Sequence, residues 1–212
     1  MSAFFVTGAG TEIGKTFYVA RRIADGRAAG ERVRALKPII SGFDPENADG
    51  TDTGRLLNAM GRPTSEEDIA SISPWRYIAP MSPDMAAARE GRNVPVDEIV
   101  AFCRSQIDAA AAAGETLLIE GIGGVMVPLD GTRTVLDLVS ALSIPAILVG
   151  GSYLGALSHT LTALAALQAR DIPVERIVIS ETPGSDIPLS ETRDTVERLA
   201  SPIPVEALPY AP

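Results

Sequence analysis

Short apolar runs alternate along the chain with longer stretches in which apolar residues recur at helical spacing. A short apolar run between turn signals is typical of a strand that is covered on both faces of a sheet. Such strands are predicted at residues 3–7, 34–38, 116–120, 146–150 and 176–180, with a last one near 204–208. Helices are predicted at residues 15–28, 51–59, 96–113, 134–142, 155–169 and 190–200.

This alternation predicts an α/β fold of the doubly wound class, with a mostly parallel sheet and helices on both faces. A single domain over residues 1–212 is expected, because no Gly-, Ser- or Pro-rich linker divides the chain. Ligands of this fold class bind at the carboxyl ends of the strands. Residues 42–50 and 61–93 lack clear periodicity and are expected to lie as loops over that edge.

Composition narrows the class of protein. The chain is 46% hydrophobic and 21% charged, as expected of a globular domain. Its net charge of −9 argues against nucleic acid or an anionic membrane as a partner. No apolar run is long enough to span a bilayer, and no basic segment precedes the first strand, so neither a membrane span nor a signal peptide is expected. With Cys103 as its single cysteine, the protein is expected to be cytoplasmic.

Lysine is rare in this sequence. Of the 18 basic residues only Lys15 and Lys37 are lysines, and the others are arginines. Lysine supplies a compact charge that the planar guanidinium of arginine does not reproduce. Lys37 ends the second predicted strand, so both lysines are expected at the same edge of the sheet. The alternative is that a codon bias toward arginine left two lysines by chance.

Residues 8–16, with the sequence GAGTEIGKT, follow the first strand and open the first helix. This context indicates a phosphate-binding loop, in which backbone N–H groups surround phosphate oxygens. Lys15 is predicted to reach the β- and γ-phosphates, and the Thr16 hydroxyl to ligate Mg²⁺. The first glycine of the usual motif would fall at Ala9, and here Gly8 lies one residue earlier. The alternative is a glycine-rich turn that binds nothing.

Two acidic residues are candidate ligands for the same metal ion. Glu120 ends the apolar run TLLIE and is followed by GIGG. An acid at the end of a strand near a phosphate-binding loop is a common second anchor for Mg²⁺. Asp52 begins the predicted short helix that follows Lys37. The alternative role for either carboxylate is to cap a helix.

Taken together, these segments resemble the dethiobiotin synthase family, the ATP-dependent ring-closing enzymes of biotin biosynthesis. The patterns K-P-x-x-S-G and E-G-x-G-G are specific as a pair, whereas the phosphate-binding loop alone is not. The matching pieces occur in order along nearly the whole chain, at residues 8–16, 37–42, Asp52, 81–83, 120–124 and 154–161.

The resemblance implies that the substrates are 7,8-diaminononanoate, CO₂ and ATP, with Mg²⁺ as the cofactor. One amine takes up CO₂, the resulting carbamate attacks the γ-phosphoryl group, and the second amine closes the ureido ring as phosphate leaves. Lys37 and Lys15 would be the catalytic residues. Together with Mg²⁺ on Thr16, Asp52 and Glu120, they would reduce the repulsion between carbamate and triphosphate.

The resemblance also assigns binding residues and a homodimer. Thr11, Ser41 and Ser158 would bind the substrate, and residues 154–159 would hold its carboxylate tail from the partner subunit. The residues assigned to the nucleotide are Glu12, Ile13, Gly14, Lys15, Thr16, Phe17, Asp52, Glu120, Gly121, Ile122, Gly123, Ser180, Glu181, Pro209 and Tyr210.

The chain departs from the family pattern at four places. Asp84 stands where the family commonly has His, and Ser158 replaces a frequent Asn. Ser180 and Glu181 stand where an Asn-Asp pair usually reads the adenine, and some family members continue beyond the position of Pro212. Relaxed discrimination between nucleotide bases is therefore expected.

Two other functions stay open at this point. One is an ATPase switch of the MinD/ParA type, which carries a lysine early in its phosphate-binding loop where this chain has Gly10. The other is a different ligase or small-molecule kinase with a phosphate-binding loop. Release of ADP with candidate substrates would separate an enzyme from a switch.

Overall fold

A computed structural model describes residues 3–210 of the chain. The strands, in chain order, are β1 (Ala3–Gly8), β2 (Val33–Leu36), β3 (Ile39–Ser41), β4 (Trp75–Tyr77), β5 (Thr116–Glu120), β6 (Ala146–Gly151), β7 (Val174–Ser180) and β8 (Val205–Leu208). The helices are α1 (Lys15–Ala28), α2 (Asp52–Ala59), α3 (Glu66–Ile72), α4 (Pro83–Arg89), α5 (Val96–Ala113), α6 (Val135–Leu142), α7 (Ala156–Gln168) and α8 (Leu189–Ala200), and a 3₁₀ turn covers Ala48–Gly50.

Six strands form the main sheet, in the order β2-β5-β1-β6-β7-β8, and every neighbouring pair is parallel. All six residues of β6 are buried, as are the last four of β1 and of β5, because helices pack around the sheet. The predicted α/β fold is confirmed. The strand order changes direction at β1, so the carboxyl end of β1 is where this topology opens a crevice for ligands.

The prediction placed the second strand at residues 34–38, but β2 ends at Leu36. The next residue, Lys37, donates its backbone N–H to the carbonyl of Ile72 at 3.0 Å and so leaves the main sheet. Pro38 then has no N–H to offer a neighbouring strand. The chain continues directly into β3, and Lys37 lies at the point where it departs from the sheet.

The expectation of loops holds for residues 42–47 and is wrong for much of residues 61–93. The second segment contains α3, β4 and α4, and the first ends in the 3₁₀ turn. β4 pairs in parallel with β3, with Ile39 opposite Trp75. These elements are too short for apolar periodicity to reveal them. Their start signals were readable, since the Ser65 hydroxyl caps α3 by accepting from the backbone N–H of Asp68 at 3.1 Å.

The core runs continuously beneath these added elements. Trp75 packs edge-to-face on Phe102 of α5, with ring centroids 5.6 Å apart. Cys103 is buried, and burial raises the pKa of its thiol to about 12, which suits a small core residue better than a reactive one. Among the helices of residues 3–210, none has the length and apolar character to cross a membrane.

Candidate active site

A cleft of about 780 Å³ lies at the carboxyl edge of the main sheet. It brings together the phosphate-binding loop, the chain after β2, the start of α2, residues 80–83 and the loop after β5. The residues predicted to carry the phosphate and metal chemistry all line it, namely Lys15, Thr16, Lys37, Asp52 and Glu120.

The phosphate-binding loop curls between β1 and α1. Ala9 donates its N–H to the carbonyl of Val149 at 2.9 Å, which fixes the loop to β6. The ammonium of Lys15 folds back over the loop and donates to the carbonyl oxygen of Gly10 at 2.8 Å. The first turn of α1 holds no acidic residue, so its free N–H groups and the lysine together favour an anion.

Gly14 caps the N-terminus of α1 in the left-handed region, with φ of 91°. A Cβ at this position would lie 2.3 Å from Oγ of Ser180, at the end of β7. Only glycine therefore accommodates both the backbone conformation and the neighbouring serine. This contact gives Ser180 a role in supporting the phosphate-binding loop.

The glycines after Glu120 allow a second loop to pack against the first, backbone to backbone. A Cβ on Gly124 would lie 3.3 Å from the backbone nitrogen of Gly10 and from the carbonyl oxygen of Gly8. The N–H of Val125 donates to that same carbonyl of Gly8 at 3.0 Å. The two glycine-rich segments thus form one rigid wall of the cleft.

A buried ionic cluster lies at the centre of the cleft. Lys37 is only 3% exposed, and its Nζ lies 2.6 Å from Oε1 of Glu120 and 3.0 Å from Oδ2 of Asp52. The hydroxyl of Thr16 donates to the same Oε1 of Glu120 at 2.7 Å. β5, α1, α2 and the chain after β2 each contribute one of these side chains.

Neighbouring charges and burial shift the pKa values of the two lysines in opposite directions. Burial alone would lower the pKa of Lys37, but the carboxylates of Glu120 and Asp52 outweigh it and raise that pKa. For Lys15, burial and then the charge of Lys37 lower the pKa to about 8. Within residues 3–210 Lys15 has no carboxylate within ion-pair distance, so its charge is available to an anionic ligand.

Asp52 does not act as the helix cap. Thr51 is the N-cap of α2, and its hydroxyl accepts from the N–H of Gly54 at 3.2 Å. Asp52 is the first helical residue, and its carboxylate faces Lys37. Burial would raise the pKa of Asp52, but the neighbouring Lys37 lowers it, so the group is a carboxylate at neutral pH.

The oxygen atoms of this cluster fit a magnesium ion. Oε2 of Glu120 is buried and has no hydrogen-bond partner among the described residues. The Thr16 hydroxyl and the Asp52 carboxylate belong to the same cluster, and hard oxygen donors are what Mg²⁺ prefers. Residues 3–210 hold no group of three or more His, Cys, Asp or Glu side chains that could enclose a metal. Mg²⁺ usually takes only a few protein oxygens as ligands, and phosphate and water complete its coordination shell.

The remaining predicted residues fall into three groups according to their position relative to the cleft. Thr11, Glu12, Ile13, Gly14, Phe17, Ser41, Ile122 and Gly123 line the cleft. Gly121 packs against the ring of Phe5 instead. Ser158, Ser180, Glu181, Pro209 and Tyr210 are not among the lining residues.

The last strand and β7 are joined through Glu181. The N–H of Glu181 donates to the carbonyl of Leu208, and its carboxylate accepts from the N–H of Tyr210, both at 2.9 Å. The Glu181 side chain therefore holds the segment after β8 in place. Contact of these residues with a nucleotide base stays a prediction.

Outside the segments that match the family, five further residues line the cleft and were not predicted, namely Gly50, Thr51, Arg55, Pro80 and Val127. Arg55 had a readable signal, because it lies three positions after Asp52 on a predicted helix and so shares its face. The other four carry no charged side chain that would single them out.

Comparison with solved structures shows the class of fold. The MinC:MinD complex of Aquifex aeolicus matches with a TM-score of 0.56 at 12% identity, over 100% of this chain and 83% of that one. A ParA family ATPase of Chlorobium tepidum matches with a TM-score of 0.53 at 15% identity, over 99% of this chain and 85% of that one. A family described as an AAA domain matches residues 2–211. With its loop at residues 8–16, the chain has the fold of the phosphate-binding-loop nucleoside triphosphatases.

Sequence relatives define the particular family. The ATP-dependent dethiobiotin synthetase BioD of Acidiphilium cryptum is 48% identical over 97% of this chain and 92% of its own length. The protein of the same name from Methylobacterium nodulans is 46% identical over 94% of this chain and 90% of its own length. The chain belongs to the family of ATP-dependent dethiobiotin synthetases. The resemblance found in the motifs is thereby confirmed.

Replacing Gly14 with alanine should weaken ATP binding by about tenfold or more, because the new Cβ collides with Ser180 next to the phosphate-binding backbone. Titration calorimetry with Mg-ATP measures the loss. Gly91→Ala is the matched control, since Gly91 also has positive φ but has no neighbour within 4 Å and lies outside the cleft. Affinity equal to the parent's in Gly14→Ala would refute the steric argument, and partial recovery in Gly14→Ala with Ser180→Gly would support it.

Proposed function

We propose that this protein is an ATP-dependent dethiobiotin synthetase, which closes the ureido ring of dethiobiotin from 7,8-diaminononanoate and CO₂ in biotin biosynthesis. The observation that carries the proposal is the buried Lys37, held by Glu120 and Asp52 in the cleft of the phosphate-binding loop. A phosphate-binding loop alone serves many reactions, whereas this second buried lysine supplies a charge for a second anion.

The reaction requires two anions to approach each other. A carbamate, formed when one substrate amine gains CO₂ and loses a proton, carries a negative charge next to the triphosphate. Lys15 and Lys37 both line the cleft, and lysine charges in a site shielded from water stabilise such a pair far more than they would in bulk solvent. The protein thus provides the positive charge before the substrates arrive.

The bonds change in two stages. A carbamate oxygen attacks the γ-phosphorus, the bond from that phosphorus to the β,γ-bridging oxygen breaks, and ADP leaves. The second amine then attacks the carbamate carbon, phosphate departs, and the amine loses a proton as the ring closes. Lys37 stabilises the carbamate and the group in transfer, and Lys15 holds the β- and γ-phosphates.

Thr16, Asp52 and Glu120 are the residues that would hold Mg²⁺. When bound, the ion neutralises phosphate charge and aligns the triphosphate. The free Oε2 of Glu120 supports this assignment. Lys37 touches both carboxylates but neutralises only one of the two negative charges, so the cluster still favours a bound cation.

Substrate contacts are proposed at two places. Ser41 and Thr11 line the same cleft as Lys37, and their hydroxyls suit the amine or carbamate. Residues 154–159 lie outside the cleft of their own chain, and they include Leu154, which is 89% exposed. We therefore propose a homodimer in which this segment, with Ser158, reaches the substrate tail in the partner's cleft. A cytoplasmic location stays a prediction.

The proposed function is tested by the ratio of dethiobiotin formed to ADP released. Purified protein with Mg-ATP, bicarbonate and 7,8-diaminononanoate should form one dethiobiotin for each ADP, measured by mass spectrometry and a coupled ADP assay. Omitting the diamine should suppress ADP release. ADP release that is independent of the diamine would indicate a switch-type ATPase instead.

Replacing each of the two lysines should impair the reaction in a different way. Lys37→Gln keeps a donor near Glu120 but loses the charge, so kcat should fall by about a hundredfold or more while ATP affinity changes little. Lys15→Gln should weaken ATP binding as well as kcat. Circular dichroism checks the fold of both variants. Near-normal ring closure in Lys37→Gln would refute its catalytic role.

The magnesium requirement should follow Glu120 and Asp52. Glu120→Gln and Asp52→Asn preserve size but remove the charge that binds the cation, so the Mg²⁺ concentration for half-maximal rate should rise by about tenfold. Glu12→Gln is the control, because Glu12 lines the cleft but lies outside the ionic cluster. An unchanged Mg²⁺ titration in Asp52→Asn would remove Asp52 from the metal site.

Nucleotide choice should be relaxed. Ser180 is shorter than an amide and packs on Gly14, while Glu181 is occupied by the N–H of Tyr210, so neither side chain offers a donor–acceptor pair to adenine. CTP and GTP should support turnover within about tenfold of ATP in kcat/KM. A preference for ATP above about a thousandfold would show that other groups read the base.

The proposed dimer predicts complementation between two inactive chains. Ser158→Trp should block the partner's cleft, and Lys37→Gln should disable its own, so mixing the two variants should restore up to about a quarter of the parent activity by random pairing. Sedimentation measures the oligomeric state in parallel. Absence of any recovery in a mixture proven to contain mixed dimers would contradict the role of residues 154–159.

A further inference from the structure

Most arginines of the described residues form hydrogen bonds or ion pairs, but Arg55 forms neither. Within residues 3–210 its guanidinium makes no hydrogen bond and no ion pair, a condition it shares with Arg89 and Arg198. Of these three, Arg55 alone lines the cleft. An unpaired cation next to a binding site in a chain of net charge −9 is a candidate for anion recognition.

The position of Arg55 on α2 directs it toward the phosphate site. It follows Asp52 by three residues, so the two side chains share one face of the helix. Side chains on a helix lean toward its N-terminus, which for Arg55 is the end that carries Asp52. Asp52 is 41% exposed and is the outermost carboxylate of the buried cluster. Arg55 is exposed and lines the same cleft, which places it on the solvent side of that cluster.

The balance of charge in the cleft explains why a further cation is useful. The acidic residues that line it are Glu12, Asp52 and Glu120, and the basic ones are Lys15, Lys37 and Arg55. Lys37 is shared between two carboxylates, so little of its charge is unopposed. Lys15 and Arg55 form no ion pair, but Lys15 already donates to the carbonyl of Gly10, so Arg55 is the lining cation with neither a hydrogen bond nor an ion pair among residues 3–210.

We propose that Arg55 binds the terminal phosphate of ATP and follows it as it is transferred, making Arg55 a further catalytic residue of the cleft. This inference rests on the proposed function, because it requires Mg-ATP in the phosphate-binding loop. A guanidinium donates two parallel hydrogen bonds to a phosphate, a geometry that lysine cannot reproduce. The β-phosphate stays with Lys15 and the loop, so Arg55 distinguishes ATP from ADP.

Differential binding tests this assignment. Arg55→Gln should weaken binding of the Mg complex of a non-hydrolysable ATP analogue by about tenfold, and binding of Mg-ADP by less than about twofold, in titration calorimetry. Arg55→Lys should recover only part of the loss, because it restores the charge without the planar fork. Arg198→Gln is the matched control, an exposed and unpaired arginine on α8 away from the cleft.

Each contrary result has a distinct meaning. Equal losses for the two nucleotides, or no loss for either, would overturn the assignment to the terminal phosphate. A raised KM for the diamine with unchanged nucleotide binding would overturn it in favour of the substrate carboxylate. If the parent protein forms dethiobiotin but Arg55→Gln matches it in every constant, the inference fails alone. If the parent binds neither nucleotide, the proposed function fails with it.

Discussion

Burial of the Lys37 ammonium between two carboxylates is the constraint on which the site depends. Removing a charge from water costs several kcal/mol unless a partner compensates it closely. Here Glu120 and Asp52 lie within 3.0 Å of the ammonium, and Thr16 occupies the same carboxylate oxygen of Glu120. The end of β5 and the starts of α1 and α2 cannot move apart without leaving a buried charge unpaired. A position needed for chemistry is thus also fixed by electrostatics.

Glycine makes the same geometry sterically feasible. Gly14 turns the chain into α1 against Ser180, and Gly124 brings the loop after β5 into backbone contact with Gly10. A side chain at Gly14 would collide with Ser180, and one at Gly124 would crowd the backbone of Gly8 and Gly10. The charges of Lys15 and Lys37 are therefore presented on a preformed scaffold, which suits a reaction whose main barrier is repulsion between two anions.

The parts of the fold that the sequence predicted are those with long-range regularity. The six strands of the main sheet and helices such as α1 and α5 have enough apolar residues for their period to be read. The elements α3, β4 and α4 have three to seven residues each and depend on tertiary contacts, such as the pairing of β4 with β3. Periodicity could not reveal them.

A similar division holds within the candidate site. Lys15, Lys37, Asp52 and Glu120 were found because rare or charged residues at strand and helix ends stand out in a sequence. That Thr51 rather than Asp52 caps α2 required coordinates, since both residue types cap helices. The free guanidinium of Arg55 also required them, because an absence of partners is visible only when every neighbour is placed.

The most direct test of the account is isotope transfer from CO₂ to phosphate. If a carbamate oxygen attacks the γ-phosphorus in this cleft, a reaction started with C¹⁸O₂ and stopped within seconds should release inorganic phosphate that carries one ¹⁸O atom for each dethiobiotin formed. Mass spectrometry of the phosphate measures this transfer. Dethiobiotin formed with unlabelled phosphate would contradict the account, because the carbamate would then not have been joined to the phosphoryl group.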